Sequence, residues 1–519
     1  MYFDKLNLSE TGQFPAILFD YLDGKPELEP FYRFTPRVSS FKSCIENRNF
    51  DDSSRKVLVR VLKTQYDSLT LPDAVSSNLE KLKHNKTFTV TTGHQLNIFT
   101  GPLYFVFKIV SVINTCRKLK EAYPDYEFVP VYWMASEDHD LDEIRSFSLF
   151  GNTYSWETSQ TGPVGRMDPS TLGNLLDQLP EDIPLFRKAY TGFNRLSDSV
   201  RYYVNELFGR YGLVVIDADQ QELKKSFRDV MKDDILAHHA NRLVEEASTR
   251  LSGLGYDAQV YPRSINLFYM TDNSRGRIIQ EEDRYRITDS DFSFSRKEIL
   301  DMVDNFPERF SPNVILRPLY QEHILPNVAY VGGPAEVAYW LQLKDVFAHY
   351  QIPFPILMPR NFGMIIGKTL NKKIQKLQLS SKELFRDIGQ LKSLYLERHS
   401  LNSITLDKEK AVMEEILESV KNKTRSVDQS LESFIEAEKA KIIKEFENME
   451  KRLEKAEEKK HETGIRQVEN LKEKLFPAGK LQERVENFLS FHINDPDFLS
   501  SLVEQFDPFD YRFTIFHEE

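Results

Sequence analysis

The chain has 519 residues and a formal net charge of −11, with 40% hydrophobic and 12% aromatic residues. That length exceeds one simple core and predicts two or three structural units, and the acidic balance argues against nonspecific nucleic-acid binding, which rests on a basic surface. Only two cysteines occur, Cys44 and Cys116, which excludes a multi-cysteine zinc cluster and matches the usage of a reducing cytoplasm.

The opening MYFDKLNLSETGQF has no basic segment followed by an apolar one, so no secretory signal is expected. Residues 1–86 read as the mainly helical first part of the core, with VLVRVLKTQYDSL apolar at helical spacing. TFTVTT then reads as a strand, PLYFVFKIVSVINTCRKLKEAY as a helix with Pro102 in its first turn, and EFVPVYWMA as a second buried strand. Lys108 interrupts LYFVFKIVSVI, which is too short to span a membrane. Strand, helix, strand in so short a stretch is a βαβ unit and implies a parallel sheet. YGLVVIDAD is a third buried strand, and the first half of the core is placed at 87–220. A long helix follows, reaching about residue 250. DAQVYPRSINLFYMTDNSRGRIIQEEDRYRI turns at Asp272-Asn273 and reads as antiparallel strands of an insertion over 221–310. Residues 311–370 return to strand, loop and helix as the second half of the core, ending in PFPILMPRNFGMII.

From 371 to 476 the chain reads as helical. Ile435, Ile442, Met449 and Ala456 recur every seven residues, with Phe446 and Leu453 four after two of them and Lys439 and Lys460 in the second position at the ends. Such a seam predicts a coiled coil that would serve a homodimer, with residues 381–422 as an antiparallel partner and Gly464 as a loosening point; the plain alternative is a solvated helix packed on its own domain. Residues 477–519 are expected to rejoin the main body, because FLSFHI and FDYRFTIF need burial.

Ligands of an open α/β sheet gather beyond the carboxyl ends of its strands, and three polar clusters fall there. The first is TTGHQLNIFTG, with Gly93, His94, Gln95 and Asn97; it admits a capped turn or an anion site at a helix start. The second is SEDHDLDEI after Trp133, where Glu137, Asp138, His139 and Asp140 offer a cation or hydroxyl site, or a general base, or simply an acidic first helical turn. The third is AYVGGPAEVAYW, where Gly332-Gly333 lets backbone approach a ligand and Glu336 lies in the first helical turn; a tight strand-to-helix turn is the plain alternative. Arg317, Gln321 and Arg360 add candidates for anion recognition or for buried ion pairs. His238-His239 reads as surface, GLG at 253–255 as a weak phosphate signal, and Cys116 as a packed small hydrophobe.

The blocks TGQFP, TGHQLNIFTGPLYFVFK, VYWMASEDHDLDEI, LRPLYQEHILPNVAYVGGPAEVAYWLQL and LFPAGKLQER, in this order, resemble the cysteine ligase family of bacillithiol biosynthesis, BshC. The resemblance implies an α/β fold with a Rossmann-like parallel-sheet core related to class I aminoacyl-tRNA synthetases, interrupted by connecting-peptide insertions, and an α-helical coiled-coil domain. It further implies that cysteine is joined to the amino group of glucosaminyl-malate, with ATP or ADP as the suspected nucleotide, no metal-ligating residues named and the metal left open, and a cytoplasmic setting without membrane or nucleic-acid partners. His94 would then stabilise the phosphate charge and Gln95 position it, Asp138 or Asp140 would act as base or orienter of the amine, and Arg360 or the Gly332-Gly333 backbone would hold the malate. Two departures stand out: Thr91 occupies the place of the first histidine of the class I HIGH signature, and no KMSKS-like loop is present, Lys368 being the nearest lysine. The reading from a different class is a non-catalytic nucleotide- or sugar-binding scaffold.

Overall fold

Five strands, each buried on both faces, form the central sheet: β1 (Thr87–His94), β2 (Glu127–Met134), β3 (Val214–Asp217), β4 (Asn327–Gly332) and β5 (Ile356–Pro359). They run in the order β5-β4-β1-β2-β3, and every neighbouring pair is parallel. The computed structural model describes residues 2–400 and 405–518.

The buried strands read as apolar runs because helices cover the faces of a parallel sheet. Helix α1 (Tyr104–Ala122) makes the crossover from β1 to β2. Its Val112, Cys116 and Leu119 join Phe88, Val90, Phe128, Val331, Ile356 and Met358 in one apolar cluster, with Phe41, Cys44 and Ile45 from the N-terminal helices. Burial pushes the Cys44 thiol up to about 12 and the Cys116 thiol also up, so both act as packed hydrophobes rather than nucleophiles.

Two units divide the chain. The larger comprises Asn7–Gly363 and Glu483–Phe513 and contains the sheet. Between β3 and β4 it carries a second, antiparallel sheet of five strands, within which Leu267–Met270 and Arg275–Glu281 form a hairpin around Asp272-Asn273. The single long helix expected before it is two, Arg228–Ala237 and His239–Gly253, because His238 sits at φ 55°. Gly255 (φ 87°) terminates the second, so GLG is a helix stop and not a phosphate loop.

The smaller unit holds Met1–Leu6, Met364–Gln482 and Thr514–Glu519. PFPILMPRNFGMII is thus not one strand: Ile356–Pro359 is β5, and Phe362–Ile366 joins a separate three-stranded sheet with Tyr2–Leu6 and Phe513–His517. The helix expected at 381–422 is observed as Ile388–His399 and Asp407–Val427, with 401–404 outside the described residues. Asp407–Val427 folds antiparallel against Glu432–Lys460, fastened by Lys410–Glu450 at 2.6 Å and by Lys421 to Glu432 and Glu436. Near Gly464 the long helix is interrupted at His461, between Glu432–Lys460 and Glu462–Leu475. A Cβ at Gly464 would lie 1.9 Å from the Tyr395 hydroxyl, so the glycine admits that ring between helices.

Candidate functional site

The strand order reverses between β1 and β4, and at that switch point a parallel sheet opens a crevice at its carboxyl edge. The first and third polar clusters leave the sheet side by side there, at Gly93-His94 and Gly332-Gly333. Gly93 is small for a reason: a Cβ would meet the Tyr330 hydroxyl at 3.3 Å and Arg317 Nη1 at 3.4 Å.

His94 is buried against Tyr104 and Phe105, each at 5.2 Å between ring centroids. Burial, followed by the cations Lys108 and Arg360, pulls its pKa down from 6.5 to about 3, with Glu336 acting the other way. The ring is therefore neutral at pH 7, and its Nε2 has no hydrogen-bond partner among the described residues. A neutral imidazole here can donate one hydrogen bond to a ligand oxygen but brings no positive charge. Because the folded pKa is depressed, the unfolded chain takes up the proton more readily below pH 6.5. His94's contribution to stability is thus complete above that value and drains as pH falls toward about 3. Its ring resonances are expected to show no titration between pH 5 and 8 in an NMR series; a midpoint near 6.5 would contradict the buried, neutral assignment.

The loop after His94 is held in an uncommon conformation. Phe99 (φ 52°) and Thr100 (φ 73°) are left-handed, and Gly101 (φ 65°) would place a Cβ 2.6 Å from Asn97 Cβ. Asn487 Nδ2 donates to the carbonyls of Phe99 at 2.7 Å and Gly101 at 2.6 Å, while Asn97 Nδ2 donates to the Glu143 carbonyl at 3.0 Å. Over-determined strain of this kind concentrates at ligand-binding loops.

Gln95 couples the first cluster to the second, donating through Nε2 to Asp138 Oδ2 at 3.0 Å and to Glu143. Burial opposes the Asp138 charge, but bonds from His139 and Gln95 and the nearby Arg275 outweigh it and hold the carboxyl below its usual range. Asp138 is thus a fixed anion and a weak base. Asp140 is exposed and caps helix Leu141–Ile144, so the fold does not bring it to the crevice. His139 accepts from Arg275 at 3.0 Å. Glu137 pairs with the fully buried Lys224 and accepts from Ser311 at 3.0 Å, and Asp219 pairs with Arg166 at 2.9 Å. With Trp133 packed on Tyr320 beneath it, the acidic cluster is a neutralised wall rather than an open cation site.

The third cluster is also internally committed. Helix α2 (Leu316–Ile324) delivers Arg317 and Gln321, and helix α3 (Pro334–Leu341) delivers Glu336. Glu336 accepts from Lys108 and the Tyr330 hydroxyl, both at 2.6 Å, and from the Gly333 N–H at 2.8 Å. The helix start expected to hold an anion is therefore already occupied by the chain's own carboxylate, and Glu336 has no lone role in gripping a hydroxyl or amine. Lys108, noted in the sequence only as an interruption of an apolar run, also donates to the Gly93 carbonyl at 2.9 Å. Arg360 belongs to the structure and not to the ligand: it makes a bidentate pair with Glu483 at 3.0 and 2.5 Å, both side chains buried.

Arg317 differs from all of these. It donates to Gln321 Oε1 at 3.0 Å and to the Tyr339 hydroxyl at 3.3 Å, and no carboxylate lies within ion-pair distance among the described residues. Burial works against its charge, but Tyr339, Tyr330 and Glu336 more than offset this, so the guanidinium stays charged. Arg317 is half-buried, and a cation so placed with only neutral hydrogen-bond partners is arranged to receive an anion.

No helix among the described residues is long and apolar enough to cross a membrane. Residues 1–361 match the family model of the "Bacillithiol biosynthesis BshC, N-terminal Rossmann-like domain", and residues 363–518 that of the "C-terminal coiled-coil domain". Proteins named "Putative cysteine ligase BshC" are similar along the whole chain. The one from Cytophaga hutchinsonii is 42% identical with 97% of each chain covered, and that from Flavobacterium psychrophilum 40% with 99% covered. The relative from Salinibacter ruber is 30% identical over 92% of each. Together the Rossmann-like parallel sheet, the helical C-terminal unit and these full-length matches establish that the chain belongs to the BshC family of bacillithiol biosynthesis.

Proposed function

We propose that this chain is a ligase that joins the carboxyl group of cysteine to the amino group of glucosaminyl-malate, forming an amide. The observation that carries this reading is Arg317 beside Gly93 at the switch point, with no carboxylate at ion-pair distance among the described residues and so a partner for a carboxylate of the malate or of cysteine. A carboxylate resists attack by an amine, so one of its oxygens must first become a leaving group; a nucleoside triphosphate co-substrate would supply that chemistry, its phosphorus taking the carboxylate oxygen as diphosphate or nucleoside diphosphate departs, and the amine then displacing the phosphate-bearing oxygen. The neutral His94 would donate through its free ring nitrogen to the oxyanion that develops at the attacked carbon. Gln95, held by Asp138 and Glu143, would fix the approach of the amine, with Asp138 as an orienting anion instead of the base.

The proposal includes a homodimer. Val412, Ile416 and Val420 form an exposed apolar row on Asp407–Val427, and Met449 and Leu453 of the heptad seam are likewise exposed, which favours a second copy as their cover. The chemical proposal is tested with purified chain, cysteine and glucosaminyl-malate, with and without ATP, following bacillithiol by mass spectrometry. Product that requires all components supports it; nucleotide binding without product would favour the scaffold reading.

A further inference from the structure

We propose that the larger unit contains a divalent transition-metal site of the zinc class, formed by Asp233, His239 and His349. Three helices meet there: Arg228–Ala237, His239–Gly253 and Lys344–His349. On an unbroken helix of about 3.6 residues per turn, residues six apart point to different faces. The left-handed His238, φ 55° and ψ 31°, breaks the helix and swings His239 back onto Asp233, while its own Nδ1 engages the Ser264 carbonyl at 2.6 Å. His239 Nδ1 then lies 3.0 Å from both oxygens of Asp233, and His349 Nε2 lies 3.8 Å from Oδ2. One donor atom from each residue falls within 4.8 Å of the others. A tetrahedral zinc ion with bonds of about 2.0–2.1 Å spaces its donors about 3.3 Å apart, so small side-chain shifts complete the set.

An ordinary surface ion pair does not account for this grouping. One carboxylate needs one imidazole, whereas here two rings converge on it with centroids 4.4 Å apart, and two imidazolium ions so placed would repel. Two imidazoles and a carboxylate are instead the borderline donor set that suits zinc. Tyr350 donates its hydroxyl to Asp233 Oδ2 at 2.6 Å, the kind of outer bond that orients a ligating carboxylate. All three side chains are partly exposed, at 28–35%, so an ion can enter from solvent and keep a water in the fourth position.

The test titrates Zn²⁺ into tag-free, chelator-stripped full-length protein by calorimetry, and Co²⁺ in parallel by visible absorption. One ion per chain is expected, with the strong d–d bands of four-coordinate cobalt. His239→Ala and His349→Ala should each weaken binding at least about tenfold, and Tyr350→Phe by about tenfold. Should one variant misfold by circular dichroism, His349→Ala, at the end of a short helix, decides. The proposal is overturned by the absence of stoichiometric binding, or by binding that is unchanged in His349→Ala.

Discussion

Arg317→Met is expected to lower kcat/KM for glucosaminyl-malate by roughly 30- to 3,000-fold, the equivalent of about 2–5 kcal/mol for truncating one partner of a desolvated charge pair. Methionine keeps much of the side-chain volume but removes the charge and both donors. Within the protein the hydrogen bonds lost are two, both to neutral partners, Gln321 and Tyr339. Stability should therefore change little, by about 1–2 kcal/mol at most, while activity collapses. Arg317→Lys should recover only part of the loss, since a point charge cannot reproduce the planar fork. Full activity in Arg317→Met would remove the anion site from the proposal; a large drop in the unfolding midpoint would make the residue structural.

The opposite outcome is expected at Arg360. Glu483→Ala should destabilise the larger unit by about 3–5 kcal/mol, because it strands a buried guanidinium. Arg360 is 2% exposed and Glu483 fully buried, and Glu483 also accepts the Gly363 N–H at 3.0 Å. Removing both charges together, as Arg360→Met with Glu483→Leu, should restore much of the loss, since well-packed apolar pairs often match a buried ion pair. Denaturant midpoints of the two single variants and the double variant close the cycle. Additive losses would mean that the two residues do not act as a pair.

These two arginines illustrate what could be read from the sequence alone. In the sequence both were equivalent candidates for anion recognition or for a buried ion pair. What separates them is a glutamate far along the chain at residue 483, and no periodicity reports a pairing at that range. The parallel sheet was legible because fully buried strands leave apolar runs, and the crevice because glycines and polar residues follow them. The helix break at His238 was not, since a left-handed non-glycine residue is set by tertiary context. Lys108 lay in plain view within LYFVFKIVSVI. A lone lysine in an otherwise buried helix is costly unless paired, and that alone should have prompted a search for its carboxylate, Glu336. The acidic cluster misled in the other direction: Glu137 and Asp138 suggested an open site because Lys224 and Arg275, which neutralise them, lie on distant segments.

The discontinuity of the larger unit has a consequence for biosynthesis. Its last piece, Glu483–Phe513, follows the whole of Met364–Gln482 in the order of translation. While the helical segment is leaving the ribosome, the nascent sheet already carries Arg360 without its counter-ion, and the loop at Phe99–Gly101 still lacks Asn487. Domains ordinarily fold as they emerge, N-terminal first, but this one can close only once Glu483–Phe513 has followed the helical segment out. Until then the chain lacks both the counter-ion of Arg360 and the Asn487 bonds that hold the loop beside the crevice.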